Sequence, residues 1–213
     1  MDKVITISRE FGCGGREVGI KLAEMLGVPF YDKDIISKSA SEEISQSERE
    51  LLKESYTPPF FENVIFSIDV FNQYQNPVDR MTFLKQAEVI RRLAADLSQL
   101  QIIQSLAAKG PCVIVVRSAG YVLKETALKV FIRADLSARV QRKLALGIDI
   151  PEDKMPQHIQ AIDKKRSQYY QHYTDQIWGN MRNYNLCIDT TEIGTDGGSE
   201  LILCYLKQLG EIS

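Results

Sequence analysis

The stretch ISREFGCGGREVGIKLAEMLG, Ile7 to Gly27, decides how the rest of the chain is read. It begins inside Val4–Ser8, a run alternating β-branched residues that reads as a buried strand. A glycine-rich turn follows, then Arg16–Leu26 with Val18, Leu22 and Leu26 at helical spacing, closed by Gly27 and Pro29. Gly12, Gly14 and Gly15 let the backbone curl so that several N–H groups point inward, and the helix adds its positive end. Strand, bend and helix together have the shape of a phosphate-binding loop; a tight turn ahead of a helix is the plainer reading. Against the pattern G-x-x-x-x-G-K-[ST], Arg9 stands in the place of the first glycine and Gly15 in that of the lysine. Arg16 stands where a hydroxyl residue normally reaches magnesium. A cation at a helix start is unfavourable against the dipole. Arg16 therefore predicts an anion nearby.

The 213 residues suit one α/β domain with room for a mobile insert. A formal charge of −2, spread over both signs without long runs, gives no electrostatic case for nucleic-acid or membrane-surface binding. Cys13, Cys112, Cys187 and Cys204 lie far apart, and only His158 and His172 accompany them. No zinc spacing results, and no metal-ligating residues are assigned. Cys112 and Cys187, inside apolar runs, read as buried thiols. MDKVITISRE starts a strand at once, without a secretory pattern, and no run reaches membrane-spanning length. The expected location is cytoplasmic.

Further strands are expected at VPFYD (Val28–Asp32), CVIVV (Cys112–Val116), LKVFIRA (Leu128–Ala134) and YNLCIDT (Tyr184–Thr190). Helices are expected from Lys33 to about Ser41, from Phe83 to Lys109, after Asp135 as far as Gly147, from Glu152 to about Asp175, and from Gly198 to Leu209. This alternation predicts a mostly parallel sheet wrapped on both sides. Residues 42–80, polar and broken by Pro58 and Pro59, read as an insert over the active face. The apolar stripe of the long helix suits core or a dimer face equally, so monomer and homodimer both stay open.

Ligands bind such sheets beyond the carboxyl ends of the strands. Arg117 follows five apolar residues at one such end. Arg139 and Arg142 read either as site residues or as solvated helix residues, and Asp163 with Arg166 as a site pair or a plain i, i+3 surface pair. Tyr169, Tyr170, Tyr173 and Trp178 read as packing groups. Asp189 with Thr190 suits a turn cap or a base contact. Cys13 is a spacer, although the nearby helix start would lower its thiol pKa. There is no Ser-His-Asp set and no HExxH. The glycine turn is no dinucleotide fingerprint either, because Asp32 comes too early after a very short strand.

The order strand, glycine loop, helix, then GVPFYDKDII, resembles the nucleoside monophosphate kinases, most closely the cytidylate kinase-like branch. GPCVIVVRSAGYVL, VFIRADLSARVQRK, DKKRSQYYQHYT and NYNLCIDTT extend the resemblance over most of the chain in the right order. It implies a three-layer P-loop kinase-type domain over 1–213, with an acceptor-side helical insert at 42–80 and a lid at about 147–175. It assigns Arg9, Gly12, Cys13, Gly14, Gly15, Arg16 and Glu17 to the donor phosphates, and Arg117 to an acceptor phosphate. Arg139 and Arg142 would border the lid, Asp163 and Arg166 would approach the phosphates on closure, and Asp32 with Lys33 would mark the acceptor entrance. Val116 and Ser118 depart from the glycine and aspartate that cytidylate kinases carry beside that arginine.

The implied activity is transfer of the γ-phosphoryl group of ATP, with Mg2+, to a small acceptor, a nucleoside monophosphate such as CMP. Arg16, Arg117, Arg139, Arg142 and Arg166 would supply the positive charge that such transfer requires. The other readings are a nucleotide- or phosphate-binding regulatory protein without turnover, and a kinase acting on a metabolite other than a nucleotide.

Overall fold

The structure, a computed structural model, describes residues 3–32, 34–36, 101–116 and 119–212. Two compact units are present: Met1–Lys33 with Ile103–Ser213, and Asp34–Ile102. The expected insert at 42–80 and most of the long helix lie outside the described residues, although 34–36 and 101–108 are helical.

The first unit holds a five-stranded sheet in the order β2-β3-β1-β4-β5. Its strands are β1 (Ile5–Arg9), β2 (Phe30–Asp32), β3 (Val113–Val115), β4 (Leu128–Arg133) and β5 (Leu186–Asp189). All four pairings are parallel. β1 lies between β3 and β4, with Ile5 opposite both Val113 and Leu128. Parallel strands need crossovers, and among the described residues α1 (Gly15–Leu26), α2 (Ala119–Val122), α3 (Leu136–Ala145) and α4 (Met155–Thr174) lie in them, while α5 (Gly194–Gln208) follows the last strand.

The core follows the period-two alternation of strands. Ile5, Ile7, Val113, Val115, Val130, Ile132 and Ile188 pack with Val18 and Leu22 of α1 and Ile202 and Leu206 of α5. Phe131 packs in the opposite sense, edge-on to Trp178 with ring centroids 5.5 Å apart and against Tyr184 at 4.9 Å. The packing role read for Trp178 and Tyr170 agrees with this, since Tyr170 is buried as well. A second, smaller cluster joins Val140 of α3 to Met155 and Ile159 of α4, with Phe11 of the glycine turn against it.

Strand bounds match the expected ones within two residues, but α4 starts at Met155 rather than Glu152, after a 3-10 turn at Glu152–Lys154, and the short α2 was not expected. α5 begins at Gly194 rather than Gly198. The glycines at 194 and 197 read as loop because glycine disfavours helix interiors, which puts the expected helix start at Gly198. Space overrides propensity here: Ser199 Oγ donates to Val18 O at 3.3 Å, and a Cβ on Gly198 would sit 3.2 Å from Cγ2 of Val18. α1 and α5 approach closely because that position is bare.

Gly19 makes the same point in a testable way. A Cβ there would lie 2.6 Å from Cγ2 of Val115 and 3.1 Å from Phe30. Gly→Ala in an exposed helix interior gains up to about 1 kcal/mol. Gly19→Ala should instead cost about 1–3 kcal/mol through overpacking. Urea denaturation checks the sign; equal or greater stability would contradict this packing.

Candidate functional site

The carboxyl ends of all five strands point one way, so Arg9, Asp32, Arg133 and Asp189 end neighbouring strands on one rim. The glycine turn leaves β1 at that rim. Gly12 and Gly14 hold φ of 85° and 82°, the left-handed region where L side chains are strained. A Cβ on Gly12 would meet Cβ and O of Arg139 at 3.2 Å, and one on Gly14 would meet Cγ2 of Thr195 at 2.5 Å. Gly14 is the N-cap of α1, and no side chain caps it. The first-turn amides of α1 are thus left to whatever enters the turn.

Every second carbonyl from Arg9 to Cys13 is occupied. Arg166 Nη1 donates to Arg9 O at 2.9 Å, Arg139 Nη1 to Phe11 O at 3.3 Å, and Arg142 Nη1 to Cys13 O at 2.9 Å. Three guanidinium groups from α3 and α4 thus take alternate carbonyls of one loop. Thr190, fully buried just past β5, adds a hydroxyl bond to Cys13 O at 2.7 Å and accepts from Arg142 at 3.0 Å. Arg142 also donates to Thr190 O. A carbonyl turned toward an anion would repel it; drawing these oxygens outward favours the inward face of the bend for negative charge.

Asp163 binds the same loop from the other charge. Its Oδ1 accepts from Phe11 N at 2.8 Å and its Oδ2 from Arg139 Nη1. Arg139, 7% exposed, also lies 3.6 Å from Glu10 Oε2, which accepts from Ala134 N at 3.1 Å. Neither Arg139 nor Arg142 is a solvated helix residue, and Asp163 and Arg166 do not form a surface pair with each other. Both pairs instead fasten α3 and α4 to the turn.

Arg16 finds a different anion from the one expected. Its Nε and Nη2 both bond Asp32 Oδ2, at 2.9 and 2.7 Å, where the carboxylate is almost fully buried. The guanidinium answers the neighbouring strand's carboxylate as well as lining the cavity. Asp32, read as an entrance residue, is thereby a partner of the turn's helix. Arg117 and Lys33 lie outside the described residues. Asp189 caps its turn, accepting from Thr191 N at 2.9 Å and from the Thr191 hydroxyl. Those bonds, with Arg133 nearby, hold its carboxyl below the usual range.

These elements enclose a cavity of about 590 Å³. Arg9, Arg16, Arg142, Lys143 and Arg166 line it, with Glu10, Glu17 and Asp196 opposing them. Gly12, Gly14 and Gly15 form its floor, and Leu146 and Thr195 its flank. Lys143 and Thr195 were not among the residues singled out from sequence. Lys143 lies 4.6 Å from the Phe11 ring centre. It follows Arg139 at i+4, and that spacing was the available signal. Asp196 bonds Lys21, and Thr195 accepts from Lys21 Nζ at 3.2 Å. Among the described residues no three His, Cys, Asp or Glu side chains gather as a metal site, and no helix is long and apolar enough to cross a membrane.

Cys13 corrects the expected thiol chemistry. Burial outweighs the helix start and pushes its pKa up to about 11, while Sγ donates to Ile132 O at 3.4 Å. Cys187, expected inside, is exposed.

A family model described as the cytidylate kinase-like family matches residues 4–192. The fold resembles an uncharacterized protein from Eubacterium ventriosum at a TM-score of 0.68, with 22% identity over 96% of this chain and 98% of that one. It also resembles shikimate kinase from Bacteroides thetaiotaomicron, with a TM-score of 0.52 and 14% identity over the whole of both chains. TT1252 from Thermus thermophilus gives 0.52 and 16% identity over 100% of this chain and 98% of that one. No curated protein sequence gives a match.

Two outcomes follow from the geometry. Thr190→Val keeps the shape but removes the hydroxyl between Cys13 O and Arg142, and should cost about 1–3 kcal/mol in urea denaturation. At pH 8 a disulfide thiol reagent should modify exposed Cys187 and Cys204 quickly and spare Cys13 and Cys112 until the chain is unfolded. Peptide mass spectrometry reads the labelled sites, and rapid labelling of native Cys13 would contradict its burial.

Proposed function

This chain belongs to the cytidylate kinase-like family, and from that premise we propose that it transfers the terminal phosphoryl group of ATP to a small acceptor, a nucleoside monophosphate such as CMP. The observation that carries the reading is the glycine bend on the central strand. Its carbonyls are bonded outward by three arginines, while its uncapped helix amides open onto a cavity rich in cations. Such a surface suits a polyphosphate, since amides and guanidinium groups are preorganised for oxyanions and need no rearrangement on binding.

Phosphoryl transfer asks little covalent help of a protein; alignment and positive charge dominate. The backbone of Gly12–Arg16, with Glu17 at its edge, would hold the donor. Arg139 and Asp163 act as positioning residues, since they hold α3 and α4 on the turn and reach the donor only through it. Arg142 and Arg166 do the same and also line the cavity, where their charge stabilises the group in flight. Arg117 is assigned to the acceptor phosphate by family resemblance. The segment 147–175 serves as the lid in this reading, and no side chain is needed as a strong general base.

A resident magnesium site does not fit the residues present. Arg16 stands in the hydroxyl position and is engaged with Asp32. Magnesium would arrive as part of Mg-ATP, held by the donor's own oxygens and water.

One observation favours a second reading, a nucleotide-binding regulatory protein without turnover: Arg16, Arg139 and Arg142 all have internal partners. Incubation with Mg-ATP and each common nucleoside monophosphate separates the two. We expect ADP with at least one of them. Thermal stabilisation by ATP without ADP selects the binder, and ADP only with another acceptor selects a metabolite kinase. Under the leading reading Arg166→Ala should lower kcat/KM roughly 10²-fold or more.

A further inference from the structure

In the ordinary loop pattern the first position is glycine, and the seventh is a lysine reaching the β- and γ-phosphates. This chain carries Arg9 at the first and Gly15 at the seventh. The fold brings these two positions into contact. A Cβ built on Gly15 would lie 2.7 Å from Cβ of Arg9 and 3.0 Å from its Cγ. Real side chains do not approach so closely. The stem of Arg9 therefore fills the space through which a side chain at position 15 would leave the helix.

Backbone conformation does not demand glycine at position 15. It is the first residue of α1 and is not among the glycines of positive φ, unlike Gly12 and Gly14. Room for Arg9 is the reason visible in the structure. The two departures from the common pattern are thus coupled in space, since the stem of Arg9 and a side chain at position 15 cannot both be accommodated.

We propose that Arg9 and Gly15 are a reciprocal exchange, in which the Arg9 guanidinium, carried across the bare face of Gly15, grips the donor's terminal phosphates in place of the lysine ammonium. The proposal rests on the ATP-donor reading given above. Arg9 lines the cavity beside Gly12, Gly14, Gly15 and Arg16. Its backbone is fixed from both sides, by pairing with Ile132 and by Arg166 Nη1 on its carbonyl at 2.9 Å. Arg16 also bonds Asp32, and Arg142 bonds Cys13 O and Thr190 O. Lys143 approaches from the Gly12 side, where its Cγ stands 3.4 Å from a Cβ built there. A guanidinium fork also bonds two phosphate oxygens where an ammonium acts as a point charge.

The test compares wild type, Gly15→Ala, Gly15→Lys, Arg9→Gly and the doubles R9G/G15A and R9G/G15K, by thermal denaturation and by Mg-ATP titration calorimetry. The contact is judged without nucleotide. Gly15→Ala should lower the unfolding midpoint by about 4 °C or more beside Arg9, and should be harmless or stabilising beside a glycine at position 9. Equal effects in both backgrounds would overturn the exchange. For the charge, Arg9→Gly should weaken Mg-ATP binding roughly 10- to 100-fold, R9G/G15K should restore most of it, and Gly15→Lys alone should not improve on wild type. Undiminished ATP binding by Arg9→Gly would overturn the role given to Arg9. A wild-type chain that takes no ATP would remove the ligand and refute the phosphate half. An intact coupling between positions 9 and 15 would then assign that failure to the donor reading and not to the contact.

Discussion

The site depends on how the carbonyl oxygens of one bend are satisfied. A loop that turns its N–H groups toward a cavity must turn its C=O groups elsewhere, and buried carbonyls without partners are costly. Here Arg9 O, Phe11 O and Cys13 O each receive a guanidinium, from Arg166, Arg139 and Arg142. Thr190 adds the hydroxyl that ties the bend to the end of β5. Without these bonds the glycines would allow many conformations, and the anion-facing one would have no special claim.

The same bonds link site and fold. Arg139 and Arg142 leave α3, and Asp163 and Arg166 leave α4, so the position of these helices and the shape of the turn are one variable. Phe11 reinforces the coupling: its ring packs into the cluster of Val140, Met155 and Ile159, while its amide donates to Asp163. Any motion of α4 that broke the Asp163 and Arg166 bonds would be felt directly at Phe11 and Arg9.

The cationic cavity also has an unusual division of labour. An arginine is commonly assigned to whichever anion it will meet, yet several here spend hydrogen bonds on protein oxygen. Their charge still contributes to the field of the cavity, because charge in a sheltered site acts over several ångströms. Direct grip and backbone support are separate tasks, and the exchange between Arg9 and Gly15 is the proposed means of keeping a direct grip.

The sequence by itself determined the parallel strands and, among the described residues, most of the helices that flank them. CVIVV is continuously apolar, and Val4–Ser8 and LKVFIRA are rich in β-branched residues, patterns that need no distant partner to be read. The glycine turn and the resemblance over most of the chain pointed to the same bend as the candidate site. What only the tertiary structure decided was partnership. That Arg16 meets Asp32, that Asp163 serves Phe11 N and that Thr190 reaches Cys13 O depend on residues up to 177 positions apart. Side-chain direction at such distances is set by packing, which no local pattern encodes. Gly194 and Gly197 make the same point inversely: propensity read them as loop, yet α5 runs through both where it packs on α1.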